Sequence, residues 1–204
     1  IRIYFFKTFY YAVHMLAFKK KYLLIIESIK YFDLKNIKKV KKFIIIYRNI
    51  QKNEKISELI KFRNQCKLKH IKFFIANKVS LAVKLKADGI YISAYNKNLS
   101  SLFLKKRFDL IGSAHNYKEI FLKKRQGCKY IILSRLFKVT YKSKLGFLGT
   151  NKFNYFTLNI KKEIVPLGGI NLTNLNKLKM VRCNSFAIMS EIKKKPAKII
   201  NRLF

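Results

Sequence analysis

Eight short, unbroken apolar runs recur at nearly regular intervals along the chain, and no other feature limits its fold so strongly. They are Tyr22–Ile26, Phe43–Tyr47, Ile71–Ala76, Gly89–Ile92, Asp109–Ser113, Tyr130–Leu133, Ile164–Leu167 and Phe186–Met189. A strand with one wet face alternates apolar and polar residues. Continuous runs instead mark strands covered on both faces, as parallel strands wrapped by helices are. Lys-rich stretches with helical periodicity lie between them: Lys55–Lys69, with Ile56, Leu59, Ile60 and Leu68 toward one face, then Val79–Leu85, Lys118–Arg125, Asn171–Lys179 and Lys193–Leu203. Ser57, Asn171 and Thr173 supply polar helix-start chemistry. Repeated βα units of about 20–25 residues without a composition break indicate one α/β domain. Eight of them in 204 residues predict a single (β/α)8 TIM barrel at the small end of that fold's range, with a doubly wound open sheet as the alternative. The barrel is expected over residues 21–204, preceded by a helical extension over residues 1–20.

The composition suits a buried core: 50% of residues are hydrophobic, 15% aromatic, and only 7 are Gly and 2 Pro. The formal charge of +37 would attract polyanions. However, Lys far outnumbers Arg and is spread from Lys7 to Lys198, while Trp is absent and Asn, Ile, Phe and Tyr are plentiful. Codon drift in an AT-rich genome accounts for that pattern better than a selected nucleic-acid surface does, since Arg is the residue that reads phosphate and guanine bidentately. Cys66, Cys128 and Cys183 are odd in number and far apart, which excludes a disulfide framework or zinc ribbon and fits a reducing cytoplasm. The apolar segment Tyr4–Phe18 carries Lys7 and His14 and falls short of the ~20 residues a membrane span needs. It reads as a helix capping the domain, with surface contact to a membrane as the lesser reading and no stable insertion. Ile1 in place of Met leaves the true start of the chain open.

The strongest local motif is Val165-Pro166-Leu167-Gly168-Gly169-Ile170-Asn171, a strand running into paired glycines and a helix start. Glycines let backbone N–H groups approach an anion, and a helix N-terminus adds partial positive charge. One strand later Ala187-Ile188-Met189-Ser190 ends in the same way, and the loops after strands seven and eight of such barrels together hold phosphate. The plainer reading of Gly168-Gly169 is a tight βα turn. Ser113-Ala114-His115 follows the fifth strand, where His115 would serve as a general acid or base or as a hydrogen-bonded structural group. His14 and His70 receive no role. Lys138–Asn159 breaks the rhythm after the sixth strand and reads as an active-site loop. None of the nine acidic residues forms a close pair at strand ends, and Asp88 and Asp109 stand at strand beginnings. A tightly held divalent metal is therefore not expected.

In their order and spacing, FIIIYR, FFIANKVSLAVKLKADGIYIS, LIGSAHNYKEI, YIILSRLFKVTYKSKLGFLG, PLGGINLTNL and FAIMSEI resemble the thiamine phosphate synthase and thiazole tautomerase (TenI) superfamily from about Phe43 to Ile192. The resemblance implies a cytoplasmic barrel that joins a hydroxymethylpyrimidine diphosphate to a thiazole phosphate with release of pyrophosphate. It places Gly168 and Gly169 in the thiazole-phosphate loop, Met189 and Ser190 at the last backbone contact, and Lys142 and Arg48 as cations on the phosphate groups. Ser113 and His115 fall in the catalytic segment. Asn77 and Asn96 stand near the two aspartates that hold Mg2+ in such enzymes, so the Mg2+ site is weakened. Ile50 stands where a lysine is expected, and Arg135, Lys138 and Val139 replace Pro, Pro and Thr. Two other readings stay open: a family barrel that binds thiazole or thiamine phosphates without synthase turnover or tautomerises a thiazole through His115, and a barrel whose basic surface serves nucleic acid or anionic membrane. The partners implied are phosphorylated pyrimidine and thiazole molecules; the oligomeric state, a homo-oligomer included, is not legible.

Overall fold

Each apolar run forms a strand. In the computed structural model, which describes residues 21–37, 40–49, 54–139 and 146–194, the strands are β1 (Lys21–Ile26), β2 (Phe43–Tyr47), β3 (Lys72–Ala76), β4 (Gly89–Ile92), β5 (Asp109–Ala114), β6 (Tyr130–Ser134), β7 (Glu163–Leu167) and β8 (Ser185–Ile188). All neighbouring pairs are parallel, in the order β7-β6-β5-β4-β3-β2-β1-β8. The described helices are α1 (Ile56–Leu68), α2 (Val79–Lys84), α3 (Ser101–Leu104), α4 (Tyr117–Arg125), α5 (Gly149–Thr157) and α6 (Ser190–Lys194). Parallel strands with helices between them build a nearly closed (β/α)8 barrel. No ladder joins β7 to β8, although the two lie side by side. Their bottom ends are tied by the Ser185 hydroxyl, which donates to Glu163 Oε1 at 2.5 Å.

Period-two alternation sorts the strand residues into two buried layers. Leu23, Ile25, Ile46, Tyr91, Ile132 and Ala187 are among those packed inside the barrel, while Tyr22, Leu24, Phe43, Phe73, Ile131 and Phe186 are among those packed against the helices. Phe74 fills the lower interior because its register partner is Gly89: a Cβ there would lie 2.1 Å from the Phe74 ring. The barrel floor is thus solid, and any ligand space lies toward the strands' carboxyl ends.

Several helical expectations need correction. The buried face of α1 is Leu59, Phe62, Arg63 and Cys66, whereas Leu68 is 82% exposed and Ile56 and Ile60 are partly so. Leu59, Phe62 and Cys66 pack in the core, and Arg63 joins them with its guanidinium reaching the Lys86 carbonyl and Asp88 at 3.1 Å each. Lys55, not Ser57, flanks the start of α1, without a side-chain cap. Residues 171–179 do not form an α-helix; a 3-10 stretch occupies Leu175–Met180. Asn171 Oδ1 takes the Thr173 and Asn174 amides at 2.9 and 3.2 Å, and Asn174 Oδ1 takes the Asn171 amide at 2.9 Å. These Asx bonds compete with the first helical turn. The second half of the presumed loop Lys138–Asn159 is α5, and a short α3 follows β4. The extension 1–20, Lys142 and most of Lys193–Leu203 lie outside the described residues. None of the three cysteines is in a disulfide, and burial pushes the Cys66 and Cys128 thiols up to about 12. No described helix is long and apolar enough to cross a membrane.

Candidate active site at the barrel mouth

Of the residues singled out from the sequence, Arg48, His115, Gly168, Gly169, Met189 and Ser190 line one cavity of about 530 Å3 at the carboxyl ends of the strands, together with Ser134, Arg135, Val139 and Ile170. Arg48 follows β2 and is anchored by its amide to the Ile26 carbonyl at 2.8 Å. Its Nη2 meets Met189 Sδ at 3.4 Å and Glu27 Oε1 at 3.9 Å, while its buried Nε has no protein partner among the described residues. A buried guanidinium N–H without an acceptor is costly unless a ligand supplies one.

Gly168 and Gly169 have φ of +97° and +70°, a region that L residues with a Cβ seldom adopt. Space also demands glycine here. A Cβ on Gly168 would lie 3.0 Å from Arg135 Cβ and Cγ, and one on Gly169 would lie 2.5 Å from the Lys138 carbonyl oxygen. The chain after β6 is pressed against this turn, with the Leu136 and Phe137 amides donating to the Leu167 and Gly168 carbonyls at 2.9 and 3.0 Å. The paired glycines are therefore a tight turn, as the plainer reading has it, and that turn forms one wall of the cavity. The amides of Gly169, Ile170 and Ser190 donate to no acceptor among the described residues. The helix dipole expected behind Gly169 is missing, since Asn171 and Asn174 absorb the amides that would have carried it.

His115 lies at the mouth just before α4. Its amide and Nδ1 both meet Glu119 Oε2, at 2.7 and 3.1 Å. Asn116 and Glu119 exchange hydrogen bonds at 2.9 and 3.0 Å, a reciprocal helix cap that fixes the carboxylate. With Nδ1–H directed to a carboxylate, Nε2 is the basic nitrogen. Ser113 shares the inward parity of Ile111 on β5 but is buried and does not reach the cavity lining. Sequence reasoning left Arg135 and Ser134 out of the site; the one available signal was an arginine where the resembling sequences carry proline.

The residues present do not fit Mg2+. Asn77 (φ +56°) accepts at Oδ1 from the Ser93 amide and hydroxyl, both at 3.0 Å, and its Nδ2 donates to Tyr95 Oη at 3.1 Å. Asn96 Oδ1 accepts the Asn98 amide at 3.1 Å. The Asn77 oxygen is filled by two donors, the Asn96 oxygen is neutral and already accepts one, neither residue lines the cavity, and no group of three or more His, Cys, Asp or Glu side chains that could hold a metal occurs among the described residues.

A second carboxylate organises the neighbouring rim. Glu54 accepts from Ser28 Oγ at 2.5 Å, the Ile29 amide at 2.7 Å, Asn49 Nδ2 at 3.4 Å and the Tyr47 hydroxyl, tying the segments after β1 and β2 together. Burial raises its pKa, but the bonds from Ser28, Tyr47, Ile29 and Asn49 outweigh burial and hold it below the ordinary value. The same burial, with Glu54 alongside, raises the Tyr47 hydroxyl. The four donors come in two close pairs, Ser28 with Ile29 and Tyr47 with Asn49, and nothing in the sequence announces that they meet at Glu54.

An eight-stranded parallel barrel whose one described mouth gathers an arginine, a carboxylate-held histidine and unspent amides belongs to the class of (β/α)8 barrels with a candidate site at the carboxyl ends of the strands. The sequence profile of the thiamine monophosphate synthase family matches residues 34–192, and the chain belongs to that family. A thiamine-phosphate synthase of Prochlorococcus marinus is 28% identical over 144 residues, 69% of this chain and 41% of that protein. One from Clostridioides difficile is 26% identical over 154 residues, 72% of this chain and 71% of that protein. The chain thus spans about two fifths of the length of the Prochlorococcus relatives it matches. Among solved structures, the thiamine phosphate pyrophosphorylase of Pyrococcus furiosus superposes with a TM-score of 0.71 at 17% identity, covering 93% of this chain and 95% of that one, which establishes the fold.

Proposed function

We propose that the protein is a thiamine phosphate synthase-like transferase that joins a hydroxymethylpyrimidine diphosphate to a thiazole phosphate and releases pyrophosphate. The observation that carries the reading is the convergence of Arg48, His115, Gly169 and Ser190, from four separate βα turns, on one cavity, in a chain of this family. The amides of Gly169, Ile170 and Ser190 suit the phosphate of the thiazole partner. Arg48 and Arg135 suit the departing pyrophosphate, whose negative charge grows as its C–O bond breaks. The thiazole nitrogen then supplies the electron pair of the new C–N bond. His115, held by Glu119, is placed to give or take a proton at the rim through Nε2. Lys142 is assigned to the same anion from the resemblance alone.

A second reading draws on the engagement of Asn77 and Asn96: a barrel that binds thiazole or thiamine phosphates and tautomerises a thiazole through His115, chemistry that needs an acid and base but no metal. Purified protein given both substrates, with and without Mg2+, is expected to yield thiamine phosphate. Absence of product with retained thiazole phosphate binding would favour the second reading, and absence of both would overturn the site.

A further inference from the structure

Lys123 is the most anomalous charged residue of the fold. It belongs to α4, is fully buried, and has no carboxylate partner among the described residues. A lone buried ammonium is expensive unless oxygens replace its water, and here three do. Nζ donates to the Ser93 carbonyl at 2.7 Å, the Asn96 carbonyl at 2.7 Å and Gln126 Oε1 at 2.9 Å. These match the three donors of an ammonium. Gln126, also fully buried, turns its Nε2 to the Asn96 and Asn98 carbonyls at 3.0 and 2.8 Å. The sheet makes room for this arrangement: Gly112 on β5 faces the lysine stem, and a Cβ there would lie 2.8 Å from Lys123 Cγ and Cδ. From the cage the network runs on through Ser93 to Asn77.

We infer that the Lys123 ammonium is a tethered cation filling an oxygen cage that orders the loop after β4, and that this chain's anion cavity works without a divalent ion. The first part is read from the cage itself. The second rests on the synthase-like reading above, and on Asn77 and Asn96 being neutral amides outside the cavity lining, the Asn77 oxygen filled by the Ser93 amide and hydroxyl. Burial lowers the lysine's pKa, opposed by Cys128 and Glu119, as expected for a cation whose solvation has passed to the protein. Lys123 is a positioning residue; it touches no ligand space.

Two measurements on the full chain test this. In the first, hydrogen exchange over residues 93–98 is compared among wild type, Lys123→Met, which keeps an apolar stem, and Lys123→Ala. Losing charge-assisted bonds should speed exchange there by about tenfold or more, and ethylammonium should slow it again in Lys123→Ala while tetramethylammonium, which has no N–H, should not. Wild-type exchange in Lys123→Met, or no response of Lys123→Ala to ethylammonium, would overturn the cage. In the second, inorganic pyrophosphate is titrated into wild type in EDTA and in Mg2+. Affinities within about twofold are expected, whereas tightening by Mg2+ of about tenfold or more, ~1.4 kcal/mol, would overturn metal independence. No pyrophosphate binding in either buffer overturns the synthase-like reading and the metal clause together, and the exchange arm still decides the cage.

Discussion

At the scale of single residues, Gly169 and Glu54 show how much depends on local geometry. Gly169→Ala would force a methyl to within 2.5 Å of the Lys138 carbonyl at a φ of +70°. It should cost about 1–3 kcal/mol of stability and weaken phosphate binding by about tenfold or more as the turn shifts. Gly169→Asp should abolish binding by adding a carboxylate as well. Calorimetric phosphate titration beside far-UV circular dichroism separates binding from folding, and unchanged affinity in both variants would place the anion elsewhere. Glu54 yields a pH prediction. Its folded pKa is lowered, so its stabilisation is complete above the ordinary carboxylate range and is lost as pH falls through the folded value. Glu54→Gln, which cannot accept from all four donors, should lose about 1–2 kcal/mol at neutral pH and flatten the acid limb of a urea-denaturation series. A variant that keeps the wild-type acid limb would show that Glu54 is not its source.

At the scale of elements, the strands were legible and the helices only partly so. Strand positions followed from continuous apolar runs because a strand buried on both faces leaves no choice of register face, and Phe43–Tyr47 and Gly89–Ile92 match residue for residue. Of the α1 face expected from Ile56, Leu59, Ile60 and Leu68, only Leu59 is buried, because the fold turns inward the face that carries Phe62, Cys66 and Arg63, the last reaching Asp88. Asp88 in turn accepts the Phe73 amide at 2.8 Å, so the pair joins α1, β3 and the start of β4. Arg63→Ala should cost about 2–3 kcal/mol in urea denaturation, less than a wholly buried pair because the Asp88 carboxyl is 32% exposed. A loss below about 0.5 kcal/mol would mark the pair as ornamental. The 3-10 stretch after Gly169 escapes the sequence for a related reason: Asn171 and Thr173 read as helix-start residues, and only the bonds between Asn171 and Asn174 reveal that they hold the helix back.

At the scale of the whole molecule, the charge of +37 acts on every contact with solvent. Self-repulsion opposes the compact state and is screened by salt. The melting temperature should therefore rise between about 20 and 200 mM NaCl, where the Debye length falls from roughly 20 to 7 Å; a flat or falling profile would argue that the lysines are already neutralised by packing. The site was legible to the extent that chain order fixes which βα turns meet. Arg48, His115, Gly169 and Ser190 share a mouth because parallel strands bring all carboxyl ends to one rim. Ser113 lies within β5 rather than after it, turned inward but outside the cavity lining, and the Lys123 cage could not be read from a lysine among so many lysines.

The unlaced edge between β7 and β8 carries a consequence for how the wall responds to cargo. Main-chain groups at the top of that edge are not used up in zipping the two strands, so on the synthase-like reading proposed above an oxyanion lodged between the last turns would act as the missing rung. Capture of the guest and completion of the wall would then be one event, drawing on the same few N–H vectors.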